Sequence, residues 1–175
     1  ETNPSADLNG DDVAAKLKIL SSLCFNSFLN NNIYIEGIKN IEKTDIDNAN
    51  MLGYKIKLLG FAESINNKIY QRVHPTLIKK SSYIASIDGV LNAVIIEGKP
   101  VGQTTIQGEG AGPSATTSAL VSDVSSILRG NIKFPFSLST KERKKLVFSN
   151  ILNRFFSAYL RFDVSDKPGV LSDIT

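Results

Sequence analysis

An acid and an amine four residues apart are the first groups in this chain that could do chemistry. Asp12 and Lys16 fall in a stretch, 11 to 29, whose apolar residues recur at helical spacing. On a helix they share one face, one turn apart. The plainest outcome is an exposed ion pair worth about 0.3–0.5 kcal/mol. A helical wheel offers another. With Asp12 at 0° and roughly 100° per residue, Lys16 falls near 40°, and Leu23, Leu20, Val13, Cys24 and Leu17 fall at about 20°, 80°, 100°, 120° and 140°. Lys16 then lies inside the apolar arc, with Lys18 on the opposite face. A lysine drawn inward loses hydration and needs a partner. Asp12 is one candidate; Asp7 and Glu1, just upstream, are others. A functional lysine and a snorkelling structural one both fit this pattern.

The second group is Gly108-Glu109-Gly110-Ala111-Gly112, between a strand-like and a helix-like segment. It could cradle an anion on backbone N–H groups. It lacks the Gly-x-Gly-x-x-Gly spacing of the dinucleotide fingerprint, and taken alone it reads first as a tight strand-to-helix turn. His74 stands beside Pro75 in a strand-like run, the setting of a structural histidine. With one Cys (Cys24) and one His, a disulfide and a Cys- or His-rich metal site are both excluded.

These groups need elements to position them. The first helix is expected over 11–29, ended by Asn30-Asn31-Asn32, and a second over 44–52, capped by Thr44 or Asp45 and stopped by Gly53. Strands are expected over 54–63, over 68–78 with an interruption at Pro75, over 90–97 and over 101–107. A third helix spans 115–128, a loop 130–137, a connecting helix 140–153 and a strand-like run 154–164. Short hairpin-like links imply antiparallel neighbours. The expected class is α+β: an open, mostly antiparallel or mixed sheet with helices packed on one face.

The 175 residues are 42% hydrophobic and 21% charged, with net charge +3. That suffices for one packed domain and excludes wholesale disorder. The basic residues are dispersed, with the densest group, Lys141 to Lys145, interrupted by Glu142; no nucleic-acid footprint results. No apolar run reaches the roughly 18 residues of a membrane span, and the first residues do not read as a secretory signal.

With the groups and elements placed, a family pattern is visible. Glu1-Thr2-Asn3-Pro4-Ser5-Ala6-Asp7, then Gly10-Asp11-Asp12 and Lys16, resembles the homoserine dehydrogenase motif Glu-x-Asp-Pro-x-x-Asp followed by Gly-x-Asp-x-x-x-Lys. Asn3 replaces the usual Asp. Asn92-Ala93-Val94, Val101-Gly102, Gly108 to Gly112 and Thr116 to Asp123 resemble the same family's second signature, with Ala115 and Thr117 departing from it. Tyr54 to Gly60 and His74 to Ile78 resemble the strands between. The resemblance implies that Lys16 is the catalytic acid/base, that Asp12 belongs to the catalytic pair by helping to position it, that Glu1 and Asp12 contact the amino-acid substrate, that Asp7 lies in the same polar site, and that Gly112, with Gly110, approaches the nicotinamide cofactor.

Tyr159 to Leu171 resembles the opening strand and turn of an ACT regulatory domain, with Asp166, Pro168 and Gly169 matching the turn. The domain reading is therefore a catalytic, substrate-binding and dimerisation domain over 1–137, a linker helix over 138–158 and the beginning of a truncated ACT domain over 159–175. The implied activity interconverts aspartate 4-semialdehyde and homoserine using NAD or NADP. The cofactor would be held mostly by an N-terminal nucleotide-binding domain expected before Glu1, without which this chain would be inactive. The expected partners are the small-molecule substrate and further copies of the chain, as a homodimer or higher oligomer, with neither nucleic acid nor membrane; the expected location is cytoplasmic. The competing class is a non-catalytic oligomerisation or ligand-sensing module. A related oxidoreductase with another substrate is the second enzyme reading.

Overall fold

The structure is a computed structural model describing residues 4–29, 33–131, 139, 141–150, 154–165 and 167–174. Glu1, Asn30 to Asn32, residues 132–137 of the expected loop and Asp166 of the expected turn lie outside the described residues. The elements are α1 (Ser5–Asn9), α2 (Asp11–Phe25), β1 (Tyr34–Ile35), α3 (Lys43–Met51), β2 (Tyr54–Ile65), β3 (Lys68–Lys79), β4 (Leu91–Gly98), β5 (Gly102–Glu109), α4 (Pro113–Leu128), β6 (Val147–Phe148) and α5 (Val170–Ile174).

The α+β class is as expected, and the sheet is mixed. Long strands β2 and β3 form an antiparallel hairpin from Tyr54↔Lys79 to Ile65↔Lys68. Its two-residue turn is Asn66-Asn67, both left-handed, which matches the twist of the flanking strands. Two short parallel strands line the other edge of β3: β1 at Arg72–Val73 and β6 at Lys68–Ile69. Helix α2 covers one face. Ala14, Leu17, Ile33 and Val73 form the buried cluster, with Val13, Leu58 and Ala62 packed against it. Strands β4 and β5 pair with each other as a separate hairpin rather than joining this sheet.

Several local expectations are corrected. The helix expected over 11–29 begins at Asp11 as expected but stops at Phe25, and a short helix not expected, α1, precedes it across Gly10. Asn26 stops α2 by adopting the left-handed conformation (φ 53°) that asparagine tolerates, while its N–H reaches the Ser22 carbonyl. The strand β3 is not broken at Pro75, which pairs with Leu58. Past Val73 the β1 partner has ended, and among the described residues no other strand pairs with that edge of β3, so it does not need every N–H. The N-cap of α3 is Glu42, not Thr44 or Asp45. Asp45 instead accepts the Glu42 N–H through Oδ2 at 2.9 Å.

The linker helix expected over 138–158 is absent from its described part. Residues 141–150 hold β6, and Ser27 bridges to Lys144 with its hydroxyl donating to the Lys144 carbonyl at 2.8 Å. Edge pairing with β3 satisfies this backbone instead of a helix. Residues 154–165 carry no strand pairing among the described residues, yet they are pinned by side chains. Arg154 pairs with Glu63 and stacks on the Tyr70 ring at 4.8 Å. Arg72 lies between the Phe61 and Phe156 rings at 5.0 and 4.5 Å. Tyr159 donates to Asp45 at 3.0 Å, and Arg161 pairs with Glu42 at 2.7 Å.

Candidate active site

The site is built around Gly10. It ends α1, its N–H reaching the Ala6 and Asp7 carbonyls at 3.1 and 3.2 Å, and it starts α2, its carbonyl accepting from Ala14 at 3.0 Å. Two features demand glycine. Its φ is +87°, and a Cβ there would lie 3.1 Å from both Ile35 Cγ2 and Val73 Cγ1. The junction therefore rests directly on β1 and β3. One turn on, α2 settles over Gly60 of β2, where a Cβ would stand 3.1 Å from Val13 Cγ1. Two close approaches fix both the height and the rotation of α2.

That rotation brings Asp12 and Lys16 together and turns them off the sheet. Lys16 Nζ stands 2.7 Å from Asp12 Oδ2, with the side chains 53% and 42% exposed respectively. The inward lysine expected from the wheel is thus corrected. The buried stripe is Ala14, Leu17, Ser21 and Ser22, while Leu23 and Cys24 are exposed. Two serines on the buried side displaced the apolar arc. Ser21 Oγ donates to the Leu17 carbonyl at 2.6 Å and Ser22 Oγ to the Lys18 carbonyl at 2.7 Å, so neither hydroxyl is left unpaired on burial. Lys16 is an accessible amine held by a carboxylate.

Asp7 lies exposed on α1, one turn before Gly10, and forms no ion pair among the described residues. Glu1 lies outside them. Gly110 and Gly112 lie where β5 gives way to α4, and no hydrogen bond among the described residues joins them to the Asp12–Lys16 pair. The two glycines differ. The space a Gly110 side chain would need is filled by the Asn92 amide, so its lack of a Cβ serves packing within the hairpin. Gly112, with φ +118°, has nothing within 4 Å of its Cβ position and forms the uncapped start of the 16-residue α4. Of these two, Gly112 is the one that offers bare backbone to an approaching group.

His74 has local partners: its Nδ1 lies 2.8 Å from the Pro75 carbonyl and 3.3 Å from Thr76 Oγ1. No three metal-ligating side chains cluster among the described residues. Sequence reasoning passed over Gly37, whose backbone lies against the end of α1; the signal was the Glu36-Gly37 pair in an otherwise unclassified stretch.

A family model for homoserine dehydrogenase matches residues 1–125, which hold every one of these side chains and glycines. The chain belongs to the homoserine dehydrogenase family. It is 39% identical over its whole length to a homoserine dehydrogenase of Helicobacter pylori, covering 41% of that protein. To the homoserine dehydrogenase of Neisseria gonorrhoeae it is 36% identical, covering 99% of this chain and 42% of the relative. The crystal structure of a homoserine dehydrogenase from Thiobacillus denitrificans superposes on 99% of this chain and 42% of its own, with a TM-score of 0.85 and 34% identity. A Staphylococcus aureus homoserine dehydrogenase covers 75% of this chain and 34% of its own, at TM-score 0.69 and 40% identity. The chain thus spans about two fifths of the length of the curated relatives it matches.

Proposed function

We propose that this chain supplies the substrate and acid/base half of an NAD- or NADP-dependent homoserine dehydrogenase, interconverting aspartate 4-semialdehyde and homoserine in threonine, methionine and isoleucine biosynthesis. The observation that carries the reading is the accessible Lys16–Asp12 pair, set at 2.7 Å on a helix that two glycine contacts fix to the sheet, within a chain of this family. The nicotinamide cofactor, when bound, supplies or accepts the hydride. The bare backbone at Gly112 fits the approach of a flat ring. At Gly110 the Asn92 amide occupies the space of a side chain, so its glycine has a packing reason besides any contact with the cofactor.

Lys16 Nζ gives its proton to the oxygen that becomes the alcohol, and takes that proton back in the reverse direction. While charged, it also stabilises negative charge developing on that oxygen. Asp12 holds Nζ in one place and, with Glu1 and Asp7, forms the anionic wall for the substrate's ammonium group. Half-exposure suits this role, because a substrate must reach the pair. The exposed apolar side of α4, with Leu120, Val121, Val124 and Ile127 each more than half accessible, supports a homodimer or higher oligomer. Residues 159–175 read as the start of an ACT domain, and the cytoplasm is the compartment that fits this metabolism.

The test is homoserine-dependent reduction of NAD or NADP by the parent protein. Lys16→Ala is expected to lose roughly a hundredfold or more in kcat with its fold intact. Retention of most activity would make Lys16 structural. A folded parent with no turnover would return the chain to the ligand-sensing class.

A further inference from the structure

We infer that Gly37 is a positioning residue for the substrate-amine side of the site, acting through the turn that carries Asp7; this rests on the reaction proposed above. The argument begins with how little holds α1. It has five residues, no side-chain cap and no buried residue. A helix that short does not persist on its own, so its place is set by what it touches. Two contacts set it against the sheet and the segment after β1. Gly10 at its end rests on Ile35 and Val73. The segment after β1 lies along Leu8 and Asn9, where the Ile38 N–H donates to the Leu8 carbonyl at 2.9 Å and the Glu36 N–H to the Val73 carbonyl at 2.8 Å. Gly37 sits between those two bonds. A Cβ there would run into the Leu8 carbonyl oxygen and come within 2.9 Å of Asn9 Cα. Both obstacles are backbone, which cannot swing aside as a side chain can. Even one methyl must therefore drive α1 and the 36–38 segment apart. Leu8 is the residue after Asp7, so the carboxylate moves with it, whereas α2 keeps its separate contact at Gly60.

The split in location predicts a split in kinetics. In the parent enzyme, Gly37→Ala should raise the KM for homoserine roughly tenfold or more, because an ångström of misplacement is felt at that scale. The KM for the nicotinamide cofactor should stay within about twofold. Gly98→Ala, in the open β4–β5 hairpin with nothing near its Cβ position, should leave both unchanged. Combining Gly37→Ala with Asp7→Asn should give less than the product of the separate effects on the homoserine KM. A folded Gly37→Ala enzyme with an unchanged homoserine KM overturns the inference. So does a rise shared equally by the cofactor, which would mark general loosening. If Gly37→Ala does not fold, the unmodified enzyme decides. Amide exchange at Ile38 should slow with saturating homoserine, and unaltered exchange overturns the proposal. Absence of any homoserine turnover in the unmodified enzyme would instead bring down the reaction on which it rests.

Discussion

At the scale of single residues, the Asp12–Lys16 pair separates stability from chemistry. Both side chains are half-exposed, so their attraction is largely screened and contributes only a few tenths of a kcal/mol to the fold. Asp12→Ala should therefore leave the melting temperature nearly unchanged while raising the homoserine KM and lowering kcat, which differential scanning fluorimetry and steady-state assays read side by side. Asp45 behaves in the opposite way. It is buried, and the Glu42 N–H, the Tyr159 hydroxyl and Arg161 hold its carboxyl below the ordinary carboxylate range. A depressed folded pKa means stability that is present above the unfolded value and is lost as pH falls through the folded one. The melting difference between the unmodified protein and Asp45→Asn should be constant near neutrality and shrink below about pH 4. A difference that stays constant down to pH 3 would remove Asp45 from the account of how residues 154–165 are held.

At the scale of elements, α2 is placed by close backbone approach rather than by a broad apolar stripe. Gly60→Val would insert a side chain into the space of Val13 and Leu17, costing about 1–3 kcal/mol by overpacking and lifting the helix that carries Lys16. Urea denaturation should show the loss, and kcat should fall with it. The glycines and the acid–amine spacing were legible in the sequence because a motif states them directly. The rotation of α2 was not, because Ser21 and Ser22 count as polar until their hydroxyls are seen bonding back to Leu17 and Lys18. The end of α2 was misread for a related reason: one left-handed asparagine, Asn26, ends it before the run of three does. The strands of both hairpins were legible within a few residues from alternation and turn chemistry. The region 141–150 was not, since its structure comes from pairing with Lys68 and Ile69 far away in sequence. Gly37 escaped notice because its need is set by Leu8 and Asn9, distant in sequence; the Glu36-Gly37 pair marks a glycine but not what it lies against.

At the scale of the whole molecule, two regions differ in how finished they are. The β1-β3-β2 sheet with α2 encloses a buried cluster, whereas α4 buries none of its residues and, among the described residues, the β4–β5 hairpin pairs only with itself. On the reading of an oligomer, Val124→Glu on α4 should convert the parent protein to a smaller species in analytical ultracentrifugation while leaving α2 and its sheet folded. An unchanged sedimentation coefficient would place the contact elsewhere. The edge of β3 carries a different consequence. Lys68 and Ile69 are covered there by Val147 and Phe148, which the ribosome delivers only after β4, β5 and α4 have been made. Until then the nascent chain presents an unpaired strand edge beside a completed hairpin, the kind of surface that recruits foreign strands. The late arrival of two residues makes the order of synthesis itself a determinant of yield, so C-terminal truncation before Val147 should give chains that aggregate during translation rather than chains that fold less stably.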